Sequence, residues 1–423
     1  MELVFKAILG VEYAITANYD EYLAYRGARL NYSLNSIDAK EVFIQTSGFL
    51  AKKGVEKFSP SAVKKNGMTF LFYNTSTTCN AGFDPFAAIF FLVTRYEEYC
   101  CFKPDKHGRF AAEESIAHKN NFLQVPIVNH YALFIKDLIV RKHPGIDFKP
   151  PGYMFIPTYD VDVAYAYWGR GVVRNVAASI KDIVKGNKEL LTERVKVLRN
   201  LQRDPYDIYD YTLGHDSNLE LQSVYFFLCG NYGAFDRNIS PFSNTFIKLV
   251  KKVGDSAFCG IHPSYQSNNS PEKIGTEKER LSKILSREIR FSRQHFLKFK
   301  LPETYQNLLK NNIDNDFSMG YASQLGFRAS IATPFYFYDL EREEATSLKV
   351  HPLALMDTTL IGYLQLSPIE AAKKGKEIVD EVKRVGGTFI SLWHNETLSN
   401  RAQSKPWRDC YEQISIHALP NKL

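Results

Sequence analysis

The stretch YMFIPTYDVD, residues 153–162, places two carboxylates directly after an apolar run. An extended apolar segment that ends in acids is what a strand delivers to the mouth of an α/β barrel. Residues i and i+2 of a strand point to the same side, so Asp160 and Asp162 can converge on one point. Two carboxylates at such a short distance repel each other, which costs free energy unless a metal ion or a shared proton compensates their charge. The pair therefore predicts one metal ligand and one proton acceptor.

From residue 153 onward, short apolar runs alternate with helical segments. Strands separated by helices indicate a parallel sheet or a barrel, in which catalytic groups lie at the carboxyl ends of the strands. The predicted strands cover residues 153–159, 223–229, 257–261, 289–291, 329–331 and 388–392. The predicted helices cover residues 242–252, 271–285, 302–311 and 368–385.

Polar residues of a chemically useful type follow several of these predicted strands. They are His262, Arg293 with His295 close behind it, and His394. A single acid in such a place is commonly a helix cap, and a single histidine commonly has a structural role. The coincidence at several strand ends favours function, because His and Asp are the ligands expected for zinc or a similar divalent ion.

The first 150 residues form a separate predicted domain. An N-cap at Asp84 and Pro85 at the first helical position predict a helix that continues to Tyr99. A second helix is predicted for residues 129–141, and the Pro- and Gly-rich segment 143–152 is the predicted linker. The expected division is a domain of unknown role at residues 1–150 and a barrel at residues 151–423.

Composition excludes several classes of protein. The 423 residues are 45% hydrophobic and carry a net charge of +7, and the basic residues are dispersed, so we expect no nucleic-acid partner. None of the six cysteines forms a C-x-x-C pair, which argues against a thiolate zinc site. The longest apolar run is far too short for a membrane span, and the N-terminus lacks a secretory pattern, so the cytoplasm is the expected location. Nothing indicates the oligomeric state.

The order of these residues resembles the polysaccharide deacetylase (NodB-homology) family, whose members have a distorted (β/α) barrel. Residues 1–150, with RYEEY at 95–99, resemble a companion domain that precedes this barrel in a bacterial subgroup. The five family motifs correspond to TYDVD at 158–162, GIHPSY at 260–265, Arg293 followed by Pro302, DFSMGY at 316–321 with GFRA at 326–329, and LWH at 392–394.

The resemblance implies a role for each residue. Asp160 would be the catalytic base, Arg293 would orient it, and His394 would be the general acid. Asp162 and His262 would be ligands of a divalent metal, expected to be zinc. A water molecule on that metal would attack an acyl group, expected to be acetyl, on an N-acylated sugar or glycan.

One departure from the family pattern concerns the metal site. The second motif normally holds two histidines four residues apart, but the partner position to His262 is Gln266. A Gln carbonyl oxygen is a poorer zinc ligand than imidazole. His295, two residues beyond Arg293, could replace it, because on a strand it would share the face of Arg293.

Two alternative functions remain open from the sequence. The same barrel can hydrolyse linear or cyclic amides that are not sugars. It can also be catalytically inactive and bind a glycan or a partner protein, which the missing second histidine would favour. The retained Asp160, Arg293 and His394 argue against inactivity, because binding alone does not need a base, an orienting group and an acid. Trp168, Tyr232 and Trp393 are candidates for stacking against a sugar.

Overall fold

A computed structural model describes residues 1–76 and 79–420. Backbone contacts divide the chain into two compact units. The first comprises Met1–Met154, Met319–Ala354 and Asp380–Phe389, and the second comprises Phe155–Ser318, Leu355–Val379 and Ile390–Leu423. Two segments from the second half of the sequence therefore belong to the first unit. The separate domain at residues 1–150 stays a prediction.

The regular elements are named here in chain order. The strands are β1 (Leu30–Ser33), β2 (Val42–Gln45), β3 (Ala62–Lys65), β4 (Met68–Leu71), β5 (Met154–Val161), β6 (Val224–Phe227), β7 (Phe258–Ile261), β8 (Phe291–Ser292), β9 (Asn315–Asp316), β10 (Phe335–Asp339), β11 (Glu344–Val350), β12 (Leu355–Met356) and β13 (Thr388–His394). The α-helices are α1 (Tyr19–Ala24), α2 (Pro85–Val93), α3 (Ile116–Lys119), α4 (Ile127–Lys142), α5 (Val172–Val184), α6 (Lys188–Leu198), α7 (Tyr209–Asn218), α8 (Asn244–Gly254), α9 (Glu272–Leu285), α10 (Glu303–Lys310), α11 (Pro368–Arg384) and α12 (Lys405–His417).

In the first unit, three two-stranded pairs accompany the buried helices α2 and α4. β1 and β2 are parallel, whereas β3–β4 and β10–β11 are antiparallel. The predicted start of α2 is confirmed, because the Asp84 side chain accepts a hydrogen bond from the Ala87 amide. The helix ends earlier than predicted. Arg95 has a φ of 55°, in the left-handed region, which breaks the helix before a short 3-10 turn at Tyr96–Tyr99.

The strand predicted for residues 329–331 is wrong. Ser330 has a φ of 55°, in the left-handed region, and the backbone around it forms hydrogen bonds with the start of α4. The Val128 amide donates to the Ser330 carbonyl, and the Ala332 amide donates to Asn129 Oδ1. These bonds pair the Val128 and Ala332 amides without a sheet.

In the second unit, seven strands lie side by side in the order β9-β8-β7-β6-β5-β13-β12. The pairs β5–β6, β6–β7, β7–β8, β8–β9 and β12–β13 are all parallel. Helices α8, α9, α10 and α11 connect successive strands, so the predicted α/β class is confirmed. Within the described part of this unit no strand pair joins β12 to β9. Closure into a distorted barrel therefore stays a prediction.

Close backbone approach explains one glycine at the centre of this sheet. Asp160, Phe226 and Gly260 are neighbours across β5, β6 and β7. A Cβ atom on Gly260 would lie 2.7 Å from the Phe226 ring and 2.7 Å from the Phe291 carbonyl oxygen. Both distances are too short for a real contact, so only glycine fits beside Phe226.

A helix that crosses a bilayer must be both long and apolar. No helix in residues 1–76 or 79–420 combines the length and the apolar character that crossing a bilayer needs.

Candidate metal centre and catalytic site

Polar side chains gather where the parallel strands of the second unit end. Because the carboxyl ends of parallel strands meet at one edge of a sheet, residues distant in sequence become neighbours there. From one end of the strand order to the other, the residues at this edge are Asp316 (β9), Arg293 and His295 (after β8), His262 (after β7), Asp236 (after β6), Asp160 (β5) and Asp162 (after β5), His394 (β13) and Asp357 (after β12).

Asp162, His262 and His295 form a cluster suited to a metal ion. One ligand atom from each lies within 4.8 Å of the others. His262 Nε2 is 3.0 Å from Asp162 Oδ1, and His295 Nε2 is 3.3 Å from Asp162 Oδ2. Both histidines are buried, whereas Asp162 is partly exposed. Two imidazoles and one carboxylate, with one side open, are a donor set that zinc accepts.

The Nδ1 atoms of both imidazoles contact groups that can only accept a hydrogen bond. His262 Nδ1 lies 2.6 Å from the Arg293 carbonyl oxygen, and His295 Nδ1 lies 3.0 Å from Asp236 Oδ1. Each Nδ1 is therefore the donor, and each Nε2 turns towards Asp162. A neutral imidazole then aims a lone pair at a carboxylate, which is repulsive without a cation or an added proton between them. Asp162 Oδ1 is buried and receives no hydrogen bond from the described residues. These residues fit a bound cation.

A proton on His295 also compensates the Asp162 carboxylate. Burial lowers the pKa of His295, but the Asp162 and Asp236 carboxylates outweigh it and raise the pKa to about 9. Burial also opposes ionisation of Asp162, but His295 and His262 hold the pKa of this carboxyl well below its usual range. A metal ion that binds the cluster would therefore displace one proton from His295.

His295 reaches the cluster by a different route from the one predicted. β8 ends at Ser292, and His295 begins a 3-10 turn, His295–Leu297, instead of lying on a strand. Phe296 follows with a φ of 62°, which turns the chain sharply. Gln266, the other candidate, is exposed, and its Oε1 accepts a hydrogen bond from Lys273 Nζ at 2.7 Å. Gln266 lies outside the cluster.

Asp160 and Arg293 form a buried ion pair beside the cluster. Arg293 Nη1 donates to Asp160 Oδ1 at 2.9 Å, and Arg293 Nε donates to the Phe317 carbonyl at 3.0 Å. The guanidinium lies over the Phe226 ring, 4.5 Å from its centroid. The other carboxylate oxygen, Asp160 Oδ2, is 3.6 Å from His262 Nε2. Arg293 therefore holds one oxygen of Asp160 and leaves the other facing the cluster.

His394 lies near Asp162 and is held by Asp357. Its Nδ1 is 2.7 Å from Asp357 Oδ1, its backbone amide donates to Asp357 Oδ2, and its Nε2 is 3.7 Å from Asp162 Oδ2. Burial lowers the pKa of His394, but the Asp357 carboxylate and its hydrogen bond outweigh this and raise the pKa to about 10. At neutral pH the imidazole is charged and can donate a proton from Nε2.

The sequence patterns did not predict two residues of the site, Asp236 and Asp357. Asp236 lies in a loop nine positions after β6, where a strand-end rule does not reach. Asp357 follows the apolar pair of β12, a strand too short to show periodicity. The run Ala354-Leu355-Met356-Asp357 does end in an acid, and this signal could have been used.

The three predicted stacking aromatics are in different environments. Trp393 is fully buried, which contradicts a stacking role. Trp168 donates its indole N–H to the Val197 carbonyl and packs beside a small buried cluster. Tyr232 is exposed, and the Arg174 guanidinium lies 4.7 Å from its ring centroid. Tyr232 keeps an open face, and its role stays a prediction.

A known family model matches the first third of the chain. Residues 1–144 match a family of unknown function (DUF7033). No curated protein matches the chain.

Several solved structures resemble part of the chain at low identity. A candidate polysaccharide deacetylase from Mycobacterium smegmatis is 11% identical, with a TM-score of 0.42 over 64% of this chain and 86% of its own. The Puue allantoinase is 10% identical, with a TM-score of 0.40 over 64% and 89%. BA3943 from Bacillus anthracis, described as a CE4 family pseudoenzyme, is 8% identical, with a TM-score of 0.32 over 64% and 63%. Likenesses this weak leave the function of the chain to be inferred from its own residues.

Proposed function

We propose that the chain is a metal-dependent hydrolase that removes an acyl group, expected to be acetyl, from an N-acylated sugar or glycan. One observation carries this proposal. The cluster of Asp162, His262 and His295 lies between a base held by an arginine and an acid held by a carboxylate. Amide hydrolysis needs both proton transfers, and a binding site needs neither.

Asp162, His262 and His295 would hold the metal ion, and zinc suits this donor set best. A divalent ion bound there would supply Lewis acidity, which makes a water molecule more acidic and polarises an acyl carbonyl. Asp236 and the Arg293 carbonyl fix both imidazole rings through Nδ1, so that each Nε2 is ready to bind.

Asp160 would accept the proton of the attacking water. Its Oδ1 is occupied by Arg293, so the proton would be taken at Oδ2, the oxygen that faces His262. Arg293 is fully buried, and its hydrogen bond to Oδ1 holds the Asp160 side chain in place for the attack. Substrate position would decide the geometry of the attack.

His394 would return a proton to the departing amine. Its Nε2 faces the cluster, while Asp357 holds Nδ1 and the backbone amide. An amine is a poor leaving group unless it is protonated, so a charged imidazole beside the scissile bond would promote C–N cleavage. The five-motif resemblance is what favours a sugar as the substrate.

Release of acetate tests the proposal. Zinc-loaded protein would be incubated with N-acetylglucosamine oligomers and, separately, with small linear and cyclic amides. We expect acetate from the oligomers and none after Asp160→Asn, with Gln266→Ala as an active control. Turnover of the small amides alone would transfer the proposal to a non-sugar substrate. Binding of oligomers without any acetate release would indicate an inactive, glycan-binding protein.

A further inference from the structure

Helix α5 exposes its large aliphatic side chains and buries the polar side chains of Asn175 and Asp182. Its large aliphatic residues are between 52% and 82% exposed. They are Val172, Val173, Val176, Ile180, Ile183 and Val184. A surface helix of a globular domain normally has the opposite arrangement, with its apolar stripe on the core. The exposed stripe therefore indicates a surface that another apolar body covers.

The buried side of α5 has polar contacts that fix this orientation. Asn175 donates to the Tyr167 carbonyl at 3.2 Å, and Asp182 forms a 2.6 Å ion pair with Arg194 on α6. Arg194 also donates to Ser179 at 2.9 Å. Rotating the helix to bury its aliphatic side would break all these bonds. The apolar side thus faces outward because specific polar contacts hold the other side inward.

The six aliphatic residues form one continuous stripe. At about 100° per residue, positions 172, 173, 176, 180, 183 and 184 fall within an arc of about 120°. An arc of this width is what an amphipathic helix buries in an apolar medium. The helix is 13 residues long, so the stripe is about 20 Å long.

Positive charge accompanies the stripe. Residues 170–188 contain five basic residues and one acid, Asp182, which is already paired with Arg194. At the same helical spacing, Lys181 lies about 60° beyond one edge of the arc and Lys185 about 100° beyond it. Both lysines are exposed. An unbalanced basic flank would repel the same surface of a second copy and attract an anionic surface.

We propose that α5 binds the surface of a membrane with anionic lipid headgroups, lying in the interface with its aliphatic stripe inserted. A stripe of aliphatic residues with basic neighbours is the pattern of interfacial helices that do not span the bilayer. An anionic membrane would cover the stripe with its acyl region and contact Lys181 and Lys185 with its headgroups, whereas a second copy would cover only the stripe. This inference does not depend on the proposed hydrolase activity.

Vesicle flotation of the full chain tests the proposal. One set of vesicles contains phosphatidylcholine alone, and the other contains two parts phosphatidylcholine to one part phosphatidylglycerol. The test variant is Ile180→Asn with Ile183→Asn. The matched control is Ile369→Asn with Ile416→Asn, which changes two exposed isoleucines on α11 and α12.

We expect flotation with the anionic vesicles only, and weaker flotation at high salt because screening reduces the attraction. The test variant should partition about 100-fold more weakly, because each buried isoleucine contributes roughly tenfold or more. The control variant should bind like the parent. Failure of the parent to float with anionic vesicles would overturn the proposal. A dimer in solution that the test variant dissociates would also overturn it and assign the stripe to a second copy.

Discussion

Arg293 donates from Nη1 to Asp160 Oδ1 over 2.9 Å, and both side chains are buried. The two residues are 133 positions apart in sequence and come together because β5 and the end of β8 open onto the same edge of the sheet. A buried charged group is stable only when it is paired and hydrogen-bonded. Arg293 occupies one oxygen of Asp160 and leaves the other beside the candidate metal centre.

Replacing Asp160 with Asn should remove catalysis and leave the metal in place. The amide cannot accept the proton of the attacking water, so we expect turnover to fall by about 1000-fold. Metal content should not change, because Asp162, His262 and His295 remain. Steady-state kinetics and elemental analysis of the same sample check both parts. Near-parental turnover by metal-loaded Asp160→Asn would show that another group is the base.

Asp236→Ala should weaken metal binding although Asp236 does not belong to the three-residue cluster. Loss of the 3.0 Å contact to His295 Nδ1 frees the ring to rotate, and such losses typically cost about 10- to 100-fold in metal affinity. Competition with a chelator gives the affinity. Gln266→Ala is the matched control and should bind metal like the parent. The reverse order of the two affinities would transfer the metal site towards Gln266.

Asp357→Asn should change the pH profile of activity. The carboxylate raises the pKa of His394 to about 10, so the charged form persists well above neutral pH. Without it, only the Asp162 and Asp160 carboxylates oppose the effect of burial, so the pKa of His394 should fall. Activity of the variant should therefore decline at a lower pH than that of the parent. An unchanged profile with a uniformly lower rate would mean that Asp357 only supports the fold.

Gly260→Ala should destabilise the protein and disturb the site. The added methyl group would meet the Phe226 ring and the Phe291 carbonyl, at a cost of about 1–3 kcal/mol in the free energy of unfolding. Phe226 lies beneath the Arg293 guanidinium, so turnover should also fall. Gly214→Ala, at an open position within α7, should instead stabilise the protein by about 0.5–1 kcal/mol. Denaturant unfolding of both variants checks this, and equal stabilities would contradict it.

The sequence predicted the strand ends well because apolar runs and acids are local signals. β5 was predicted with Asp160 and Asp162 at its end, and β7 and β13 were predicted with His262 and His394 behind them. Each of these strands is buried, and each is bounded by a change to polar residues. Such boundaries can be read without knowledge of the rest of the chain.

The groups that hold the site could not be read in this way. Asp236 contacts His295, and Asp357 contacts His394, through hydrogen bonds between residues far apart in sequence. No sequence spacing predicts either pair. His295 lies in a 3-10 turn in which Phe296 has a left-handed backbone conformation. The pattern of apolar residues in the sequence does not predict such a turn. The segment at 329–331 has strand-like residues, but contacts with α4 override their preference.

Metal content is the most direct test of the central claim. Elemental analysis of the purified parent, of His262→Ala and of His295→Ala would be made after loading with zinc, beside Gln266→Ala as the control. We predict close to one equivalent in the parent and in the control, and loss in both histidine variants, because each removes one imidazole from the cluster. A parent that binds no metal after loading would contradict the claim that these residues form a metal centre.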